Sequence, residues 1–573
     1  MQYKFKFSIF YILLIPLFIV FSCNEANRST LYKNGMVSSA HPIASKIGID
    51  ILKQGGNAFD AAIAVHFALS VVYPNAGNIG GGGFLVYRLD NGVVGTLDFR
   101  EKAPEKSYRD MYIDNVDGES IVDDKRSKIG HLASGVPGSV DGMVKIYEKF
   151  GTINWDELID PSIKVARNGF MVTKKQARGL NNVKESLLSA NDHSLSFVKE
   201  TDWEEGNLLV QENLALTLEE IKSSKRDGFY KGKVAQLIIN EMNSGTGIIS
   251  QTDLDNYSSI WRDPIIGYFK NHKIISMGPP SSGGIALVQL LNGAEQLETK
   301  KYNHNSLEYI NTITEIESRV YADRATHLGD PDYYNVPQES LLNKDYLFNR
   351  FNEIKSTIKT PSSEIKEGSF DINESNETTH FSIVDKFGNA VSITTTINGA
   401  YGSKVVVEGA GFLLNNEMDD FSVKPGYPNM FGLVGGEANA IEPNKRMLSS
   451  MTPTIIEKDN NLYMVLGTPG GSTIITSVFQ TILNVIDYGM GMQEAVDSKK
   501  FHHQWLPDVL VVEEKTLSDE LNKELTDIGH KIVNRSSLGR MDCILINEDG
   551  SLDGGADKRG DNTAIGIIIL PFL

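Results

Sequence analysis

Cysteine is almost absent from this chain, which has only Cys23 and Cys543 among its 573 residues. A fold stabilised by several disulfides is therefore excluded, and a chain of this length can bury enough apolar surface without them. Cys543 opens the apolar run 543–546, which is typical of a buried strand and indicates an inert thiol. No CxxC, HExxH or EF-hand spacing occurs, so the sequence supports no metal site and indicates no cofactor.

Positive charge is also scarce, since 55 lysines and arginines face 73 aspartates and glutamates and the formal net charge is -18. Nucleic-acid binding needs a basic surface and is therefore disfavoured. Two catalytic motifs are missing as well. The glycine run 80–83 is not followed by Gly-Lys-Ser/Thr, and no GxSxG elbow surrounds Ser281 or Ser282, which we interpret as helix-capping residues.

The N-terminus has the pattern of an export signal. Lys4 and Lys6 precede the apolar run 7–21, which is short for a membrane span and fits a secretory signal peptide. The run ends in Val20-Phe21-Ser22-Cys23, which resembles a bacterial lipobox, so residues 1–22 are predicted to be removed and Cys23 to be lipidated. The alternative is an uncleaved anchor. Either form places the body in the periplasm or on the cell surface, behind a tether at about 23–34.

Apolar periodicity predicts an α+β protein. The helix at 58–72 is apolar nearly all round and so is expected to be buried, with Asn57 as its cap. Residues 355–377 are polar and aperiodic, which is typical of a solvated loop. The other predicted elements are helices at 43–54, 285–297 and 472–489, helical segments at 139–230 and 305–327, and strands at 84–88, 378–384, 390–397, 405–415, 452–457, 461–466 and 541–547.

The string Glu377-Thr378-Thr379-His380-Phe381-Ser382 follows that polar loop and opens a predicted β-hairpin. A threonine becomes a catalytic nucleophile when it is the first residue of a chain, because its own α-amino group then serves as the base. The bond between Glu377 and Thr378 must therefore be cut first. His380 shares the strand face of Thr378, but the terminal amine is the better placed base. Taken alone, the two threonines are more typical of an ordinary strand than of a nucleophile.

Four motifs follow in order, at 378–382, 414–421, 444–451 and 469–472. Together they resemble the small subunit of the gamma-glutamyltranspeptidase (glutathione hydrolase) family, and the likeness extends over about 35–570. The resemblance implies an N-terminal nucleophile hydrolase fold, an αββα sandwich built by a large subunit, 23–377, and a small catalytic subunit, 378–573. The upstream segments that share the likeness are Gly55-Gly56-Asn57-Ala58, Gly80 to Gly83 and Asp98-Phe99-Arg100-Glu101.

The family resemblance also implies the role of each site residue. Thr378 is the nucleophile, Thr396 orients it, and the N–H groups of Gly470 and Gly471 stabilise an oxyanion. The residues implied to bind the substrate are Arg100, Ser449 and Ser450 for an α-carboxylate, and Asn398, Glu417 and Asp420 for an α-ammonium. Plainer explanations remain for several of them: a surface salt bridge of Arg100 with Asp98 or Glu101, a structural glycine turn, and an ordinary strand threonine.

Two further segments match the family. Residues 425–436 correspond to a lid, in which Phe431 stands where relatives often have tyrosine. Residues 501–505, Phe-His-His-Gln-Trp, place adjacent histidines on opposite sides of the chain, and we interpret both as structural.

The expected activity is hydrolysis or transfer of the γ-glutamyl group of glutathione, with water, amino acids or dipeptides as acceptors. The alternatives are a glutaryl (cephalosporin) acylase or a poly-γ-glutamate-cleaving enzyme on the same scaffold, and a non-catalytic lipoprotein that binds γ-glutamyl peptides. A free α-carboxylate subsite at Arg100, Ser449 and Ser450 favours the first activity.

Overall fold

The computed structural model describes residues 32–366 and 378–568. Their strands are β1 (Tyr32–Ser39), β2 (Gly82–Arg88), β3 (Val94–Asp98), β4 (Ile113–Val116), β5 (Glu119–Val122), β6 (Phe170–Met171), β7 (Leu208–Leu209), β8 (Ile260–Arg262), β9 (Ile265–Phe269), β10 (His272–Ser276), β11 (Thr379–Asp385), β12 (Ala390–Thr396), β13 (Thr454–Lys458), β14 (Asn461–Leu466), β15 (Phe501–His502), β16 (Leu510–Glu513), β17 (Ile532–Arg535), β18 (Asp542–Ile546), β19 (Leu552–Ala556) and β20 (Thr563–Ile568).

The α-helices of the same residues are α1 (Pro42–Lys53), α2 (Ala58–Val72), α3 (Lys125–Lys128), α4 (Ser139–Phe150), α5 (Trp155–Asn168), α6 (Lys174–Ala190), α7 (Glu212–Ser224), α8 (Asp227–Tyr230), α9 (Gly232–Ser244), α10 (Gln251–Asn256), α11 (Gly283–Gln296), α12 (Leu307–His327), α13 (Gln338–Leu341), α14 (Lys344–Phe351), α15 (Ile474–Ile486), α16 (Met492–Asp497) and α17 (Asp519–Asp527). Short 3₁₀ turns occur at His131–Ala133, Thr299–Lys301, Glu417–Asp420, Glu437–Asn439 and Gly471–Thr473.

Thirteen strands form one antiparallel network in the order β8-β3-β2-β12-β11-β1-β19-β18-β14-β13-β10-β9, with β20 also paired to β1. Between β1 and β19 the register contains one pair, Tyr32 opposite Leu552. At this narrow joint the network folds over into two stacked sheets. Strands β2, β11 and β12 of the first sheet lie against β13, β14 and β18 of the second.

Successive side chains of a strand point to opposite faces of its sheet. Each sheet therefore has one face toward the other sheet and one face toward helices, which gives four layers. Phe84 and Val86 of β2 point into the core between the sheets, where they join Ile455 and Ile544 from the second sheet. Leu85, between them, faces the core shared with α1, α2 and α4. The outer face of the second sheet packs in the same way on α11, α12 and α15. The predicted αββα sandwich is confirmed.

Several local predictions are confirmed. Asn57 accepts hydrogen bonds from the N–H groups of Phe59 and Asp60, and every residue of α2 is buried. Cys543 lies in β18 with a buried side chain, and burial raises the pKa of its thiol.

Among residues 32–366 and 378–568, no helix combines the length and the apolar character that a membrane crossing would require.

Two predictions are wrong, and the tether boundary is misplaced. Residues 405–415 do not form a strand, because positive φ at Gly409 and Gly411 turns the chain and leaves a single bridge between Val406 and Leu413. Ser282 precedes α11 in a helical conformation and makes no side-chain capping bond, since its hydroxyl donates to the Ser449 carbonyl instead. The capping prediction holds for Ser281, whose Oγ accepts from the N–H of Gly283, the first residue of α11. The predicted tether, 23–34, overlaps β1, which already begins at Tyr32.

In the first sheet, two strands that follow residue 378 lie side by side between strands that precede it. Strand β12 lies between β2 and β11, and β11 lies between β12 and β1. The N-terminal end of β11, where Thr378 precedes the strand, is therefore held on both sides.

Candidate active site

A small cavity lies beside the start of β11. Nine residues singled out from the sequence line it: Arg100, Thr378, Thr396, Asn398, Glu417, Asp420, Ser449, Ser450 and Gly471. Gly470 precedes the last of these and does not itself line the cavity. The cavity is completed by Arg324, Phe431, Leu433, Met451 and Ile474. Glu377 and Cys23 lie outside the described residues.

Thr378 is buried, with 3% of its surface exposed. The register that pairs Thr379 with Thr395 brings Thr378 and Thr396 to the same end of the hairpin. The Thr396 hydroxyl accepts a hydrogen bond of 2.7 Å from the N–H of Asn398. This contact holds the turn after β12, in which Asn398 adopts φ of 69°. The roles predicted for Thr378, Thr396 and Asn398 stay predictions, but the three lie in one wall.

The glycine pair leads into the 3₁₀ turn before α15 with unusual backbone angles, φ of 143° at Gly470 and 55° at Gly471. A Cβ on Gly471 would lie 2.4 Å from Cδ1 of Phe431, so the phenyl ring packs directly on this backbone. Both the angle and the close approach require glycine. The predicted oxyanion-stabilising role of the two N–H groups is untested by these contacts.

Arg100 lies after the end of β3 and is 1% exposed, so the alternative of a surface salt bridge is wrong. Its Nη1 lies 2.7 Å from Oε2 of Glu417, and its Nη2 lies 2.6 Å from Oδ2 of Asp420. Nη1 is also 3.5 Å from Glu101. The residue predicted to bind an anion thus pairs with the carboxylates predicted to bind a cation.

One guanidinium cannot neutralise three carboxylates. Burial raises the pKa of Glu101 to about 8 and raises those of Glu417 and Asp420 above their usual range, against the opposing effect of Arg100. Repulsion from neighbouring carboxylates adds to the shift for Glu101 and Glu417. The cluster therefore either retains a proton or carries excess negative charge, which a bound cation would relieve.

On the other side of the cavity, Ser449 and Ser450 are joined to α12 and to the loop before α11. Arg324 donates from Nε to Oγ of Ser282 at 2.9 Å and from Nη2 to Oγ of Ser450 at 3.1 Å. Sequence reasoning missed Arg324. The available signal was a charged side chain near the end of a helix that is buried along most of its length.

The predicted lid is tied through Asn429 to the turn Glu417–Asp420, which carries two of the predicted substrate-binding residues. Its Oδ1 accepts from the N–H groups of Phe431 and Leu433, and its Nδ2 donates to Oδ1 of Asp420 at 3.0 Å. The side-chain amide of Gln504 also donates to the carbonyl of Phe431. Phe431 is buried against Gly471 and lines the cavity.

None of the three histidines near these motifs lines the cavity. His380 contacts the hydroxyls of Thr394 and Ser382, and burial lowers its pKa to about 3. His502 contacts Thr476 and Gln504, whereas His503 contacts Ser318 and Asp508. These contacts agree with the structural interpretation of His502 and His503.

Comparison with known proteins gives one consistent family. The profile described as Gamma-glutamyltranspeptidase matches residues 44–567. The glutathione hydrolase proenzyme of Escherichia coli strain K12 is 46% identical over 529 residues, 92% of this chain and 90% of that protein. The acylase ACY 1 proenzyme of Pseudomonas sp. strain SE83 is 32% identical over 560 residues, covering 96% and 97%.

A solved structure agrees in fold. The cephalosporin acylase from Bacillus halodurans superposes with a TM-score of 0.79 at 24% identity, covering 93% of this chain and 96% of that one. This likeness supports the N-terminal nucleophile hydrolase fold alone. Because the profile and the Escherichia coli relative both match along most of the sequence, the chain belongs to the gamma-glutamyltranspeptidase family.

Proposed function

We propose that this protein cleaves itself between Glu377 and Thr378 and then acts as a γ-glutamyl hydrolase and transferase on glutathione and related compounds. The observation that carries the proposal is the position of Thr378, buried in the wall of a cavity with a guanidinium–carboxylate cluster on one side and serine hydroxyls on the other. The name of the Escherichia coli relative, glutathione hydrolase proenzyme, supports both parts of the proposal.

Self-cleavage needs only groups of the chain and one water. The Thr378 hydroxyl oxygen attacks the Glu377 carbonyl carbon, the peptide C–N bond breaks, and the nitrogen takes the proton to become an α-amine. Water then hydrolyses the resulting ester, which restores the hydroxyl and leaves a carboxylate on Glu377. The new amine has an ordinary pKa of about 7.7–8.0, so it can accept a proton near neutral pH.

In the catalytic cycle the amine accepts the Thr378 hydroxyl proton while the oxygen attacks the γ-amide carbon of the donor. The tetrahedral oxyanion would be stabilised by the N–H groups of Gly470 and Gly471, and collapse expels the amine of the leaving group with a proton. Water attacking the acyl-enzyme ester gives glutamate. An amino acid or dipeptide amine attacking it gives a new γ-glutamyl amide.

Charge complementarity favours a γ-glutamyl group over a glutaryl group. The α-ammonium would enter the acidic cluster of Glu417 and Asp420, where burial raises the pKa of both carboxyls and a bound cation would stabilise their ionised forms. The α-carboxylate would meet Arg100, Ser449 and Ser450. A glutaryl group keeps the carboxylate and lacks the ammonium, so it adds no second cation beside the acidic cluster that Arg100 alone contacts.

Acylase activity is the second candidate, because the acylase ACY 1 proenzyme is 32% identical along nearly the whole chain. Comparison of γ-glutamyl-p-nitroanilide with glutaryl-p-nitroanilide separates the two activities. We expect at least tenfold higher kcat/KM for the γ-glutamyl compound. A preference for the glutaryl compound would establish the acylase, whereas no release from either compound would favour the binding lipoprotein.

Self-cleavage is tested with Thr378→Ala and a matched control, Thr379→Val. The Thr379 hydroxyl is buried and has no hydrogen-bond partner among the described residues, so valine preserves its shape. On a denaturing gel we expect two subunits for the wild type and for Thr379→Val, and one uncut, inactive chain for Thr378→Ala. N-terminal sequencing of the small subunit should begin at Thr378, and two subunits in Thr378→Ala would refute the assignment.

Export and lipidation of Cys23 belong to the same proposal. They rest on the segment 1–23, which lies outside the described residues. Labelling cells with a radioactive fatty acid should mark the wild type and leave Cys23→Ser unlabelled. An unlabelled wild type would leave the uncleaved anchor as the explanation.

A further inference from the structure

Arg324 differs from Arg100 in its partners, although both are buried and line the same cavity. Arg100 contacts two carboxylates at 2.7 and 2.6 Å. Among residues 32–366 and 378–568, no carboxylate oxygen lies within 4.0 Å of the Arg324 guanidinium. Its two hydrogen bonds go to the neutral hydroxyls of Ser282 and Ser450. The cavity therefore contains a buried positive charge that forms no ion pair with the described chain and is attracted by Asp420 only from beyond that distance.

These hydrogen bonds leave the protons of both serine hydroxyls available as donors. A guanidinium can only donate, so Oγ of Ser450 must accept from Arg324, and the single Ser450 proton remains available to another acceptor. Oγ of Ser449 is constrained in the same way, because it accepts from the N–H of Met451 at 3.1 Å. Each hydroxyl thus keeps its proton as a donor for an anion, with one acceptor position already occupied.

Arg324 also holds the loop that carries these serines. Its Nε donates to Oγ of Ser282, and that hydroxyl in turn donates to the Ser449 carbonyl at 2.6 Å. The backbone N–H of Ser282 donates to the same carbonyl at 2.8 Å. One side chain from α12 therefore fixes both neighbouring serines, Ser450 directly and Ser449 through Ser282.

Burying an unpaired charge is costly, and a charge-assisted contact with an anion recovers part of that cost. No hydrogen bond from the described residues engages Nη1 of Arg324, so this nitrogen retains donors. We propose that Arg324 is a positioning residue for the α-carboxylate of the donor substrate: it sets Ser449 and Ser450 as hydrogen-bond donors and supplies the compensating positive charge. This inference rests on the proposed γ-glutamyl activity.

Three chromogenic substrates test it. γ-Glutamyl-p-nitroanilide carries both α groups, glutaryl-p-nitroanilide lacks the ammonium, and 4-aminobutyryl-p-nitroanilide lacks the carboxylate. For Arg324→Gln we expect KM to rise about 10- to 100-fold with the two substrates that carry a carboxylate. The kcat/KM for the aminobutyryl compound should stay within about threefold of the wild type, because the lost interaction is absent from that complex. Arg324→Lys should recover part of the loss.

An equal loss on all three substrates would show a general structural role and overturn the inference, as would an unchanged KM for the γ-glutamyl compound. If the wild type releases no nitroaniline from that compound, the proposed function itself fails. Subunit formation is checked first on a gel. Should Arg324→Gln remain uncut, Ser282→Ala replaces it, since this change removes the Nε contact and should raise KM selectively for the carboxylate substrates.

A double-mutant cycle supplies a second, independent measurement. If Arg324 acts through the Ser450 hydroxyl, the effects of Arg324→Gln and Ser450→Ala on KM will not add, because each removes the same contact. Independent effects, multiplying in the double variant, would contradict the relay through Ser450.

Discussion

Gly471→Ala is the sharpest probe of the glycine turn beside the nucleophile. The added Cβ would lie 2.4 Å from Cδ1 and 2.6 Å from Cε1 of Phe431, whereas ordinary contact begins at 3.4 Å. Either the ring or the turn must therefore move by about 1 Å. A displacement of about 1 Å of an active-site group can reduce turnover about 100-fold. We expect this loss in kcat for γ-glutamyl-p-nitroanilide, with a smaller change in KM.

The backbone angle needs a separate control, because alanine at φ of 55° is strained wherever it stands. Gly489 has φ of 67°, and no atom lies within 4 Å of the place that a Cβ would take there, so Gly489→Ala introduces the strain without the clash. The strain is on the order of 1–2 kcal/mol of stability. Gly489→Ala should lower the thermal midpoint and leave kcat within about twofold of the wild type.

Removing the ring should relieve the clash. The double variant Gly471→Ala/Phe431→Ala, compared with Phe431→Ala alone, should recover most of the lost kcat. Rates are normalised to the amount of small subunit that begins at Thr378, so that incomplete self-cleavage is not counted as slow catalysis. A Gly471→Ala enzyme within threefold of the wild type, or a double variant no faster than Gly471→Ala, would refute the packing argument.

Two further predictions concern the acidic cluster. Arg100→Lys should raise KM for γ-glutamyl-p-nitroanilide about tenfold, because one ammonium cannot replace the two nitrogens that contact Glu417 and Asp420; an unchanged KM would contradict this role. The raised folded-state pKa of Glu101, about 8, makes the free energy of unfolding fall as pH rises from about 5 to 8, by at most roughly 1.4 kcal/mol per pH unit. In urea titrations of the uncut Thr378→Ala chain, Glu101→Gln should flatten this fall, and an identical slope would refute the assignment.

Periodicity and capping predicted much of the fold because those signals are local. Asn57 caps α2 through bonds to residues two and three positions away, and the alternation at 452–457 and 461–466 matches β13 and β14. The segment 405–415 misled the same reasoning. Its apolar residues are typical of a strand, but two glycines with positive φ turn the chain. Because glycine adopts positive and negative φ about equally readily, the sequence alone cannot predict this turn.

The site residues that belong to the family motifs could be predicted from the sequence. The contacts between residues far apart in the sequence could not. Ser450 and Arg324 are 126 positions apart, and nothing in either local sequence indicates their hydrogen bond. The pairing of Arg100 with Asp420, 320 positions away, is equally hidden. Motif reasoning assigned these two residues to opposite charges of a ligand, whereas the structure shows that each is the other's partner before any ligand binds.

Strand order explains how a precursor of this kind can be cut without losing its active site. Thr379 pairs with Thr395 of β12, and Phe381 pairs with Ser39 of β1, so β11 is paired with β12 from its first residue and with β1 from its third. Hydrolysis of the bond before Thr378 would free a chain end and leave the strand in place. The new amine would then stay beside its own hydroxyl, at a fixed end of the sheet. Because β11 and β12 lie between strands of the large subunit, neither product completes this sheet alone, and activity should require both.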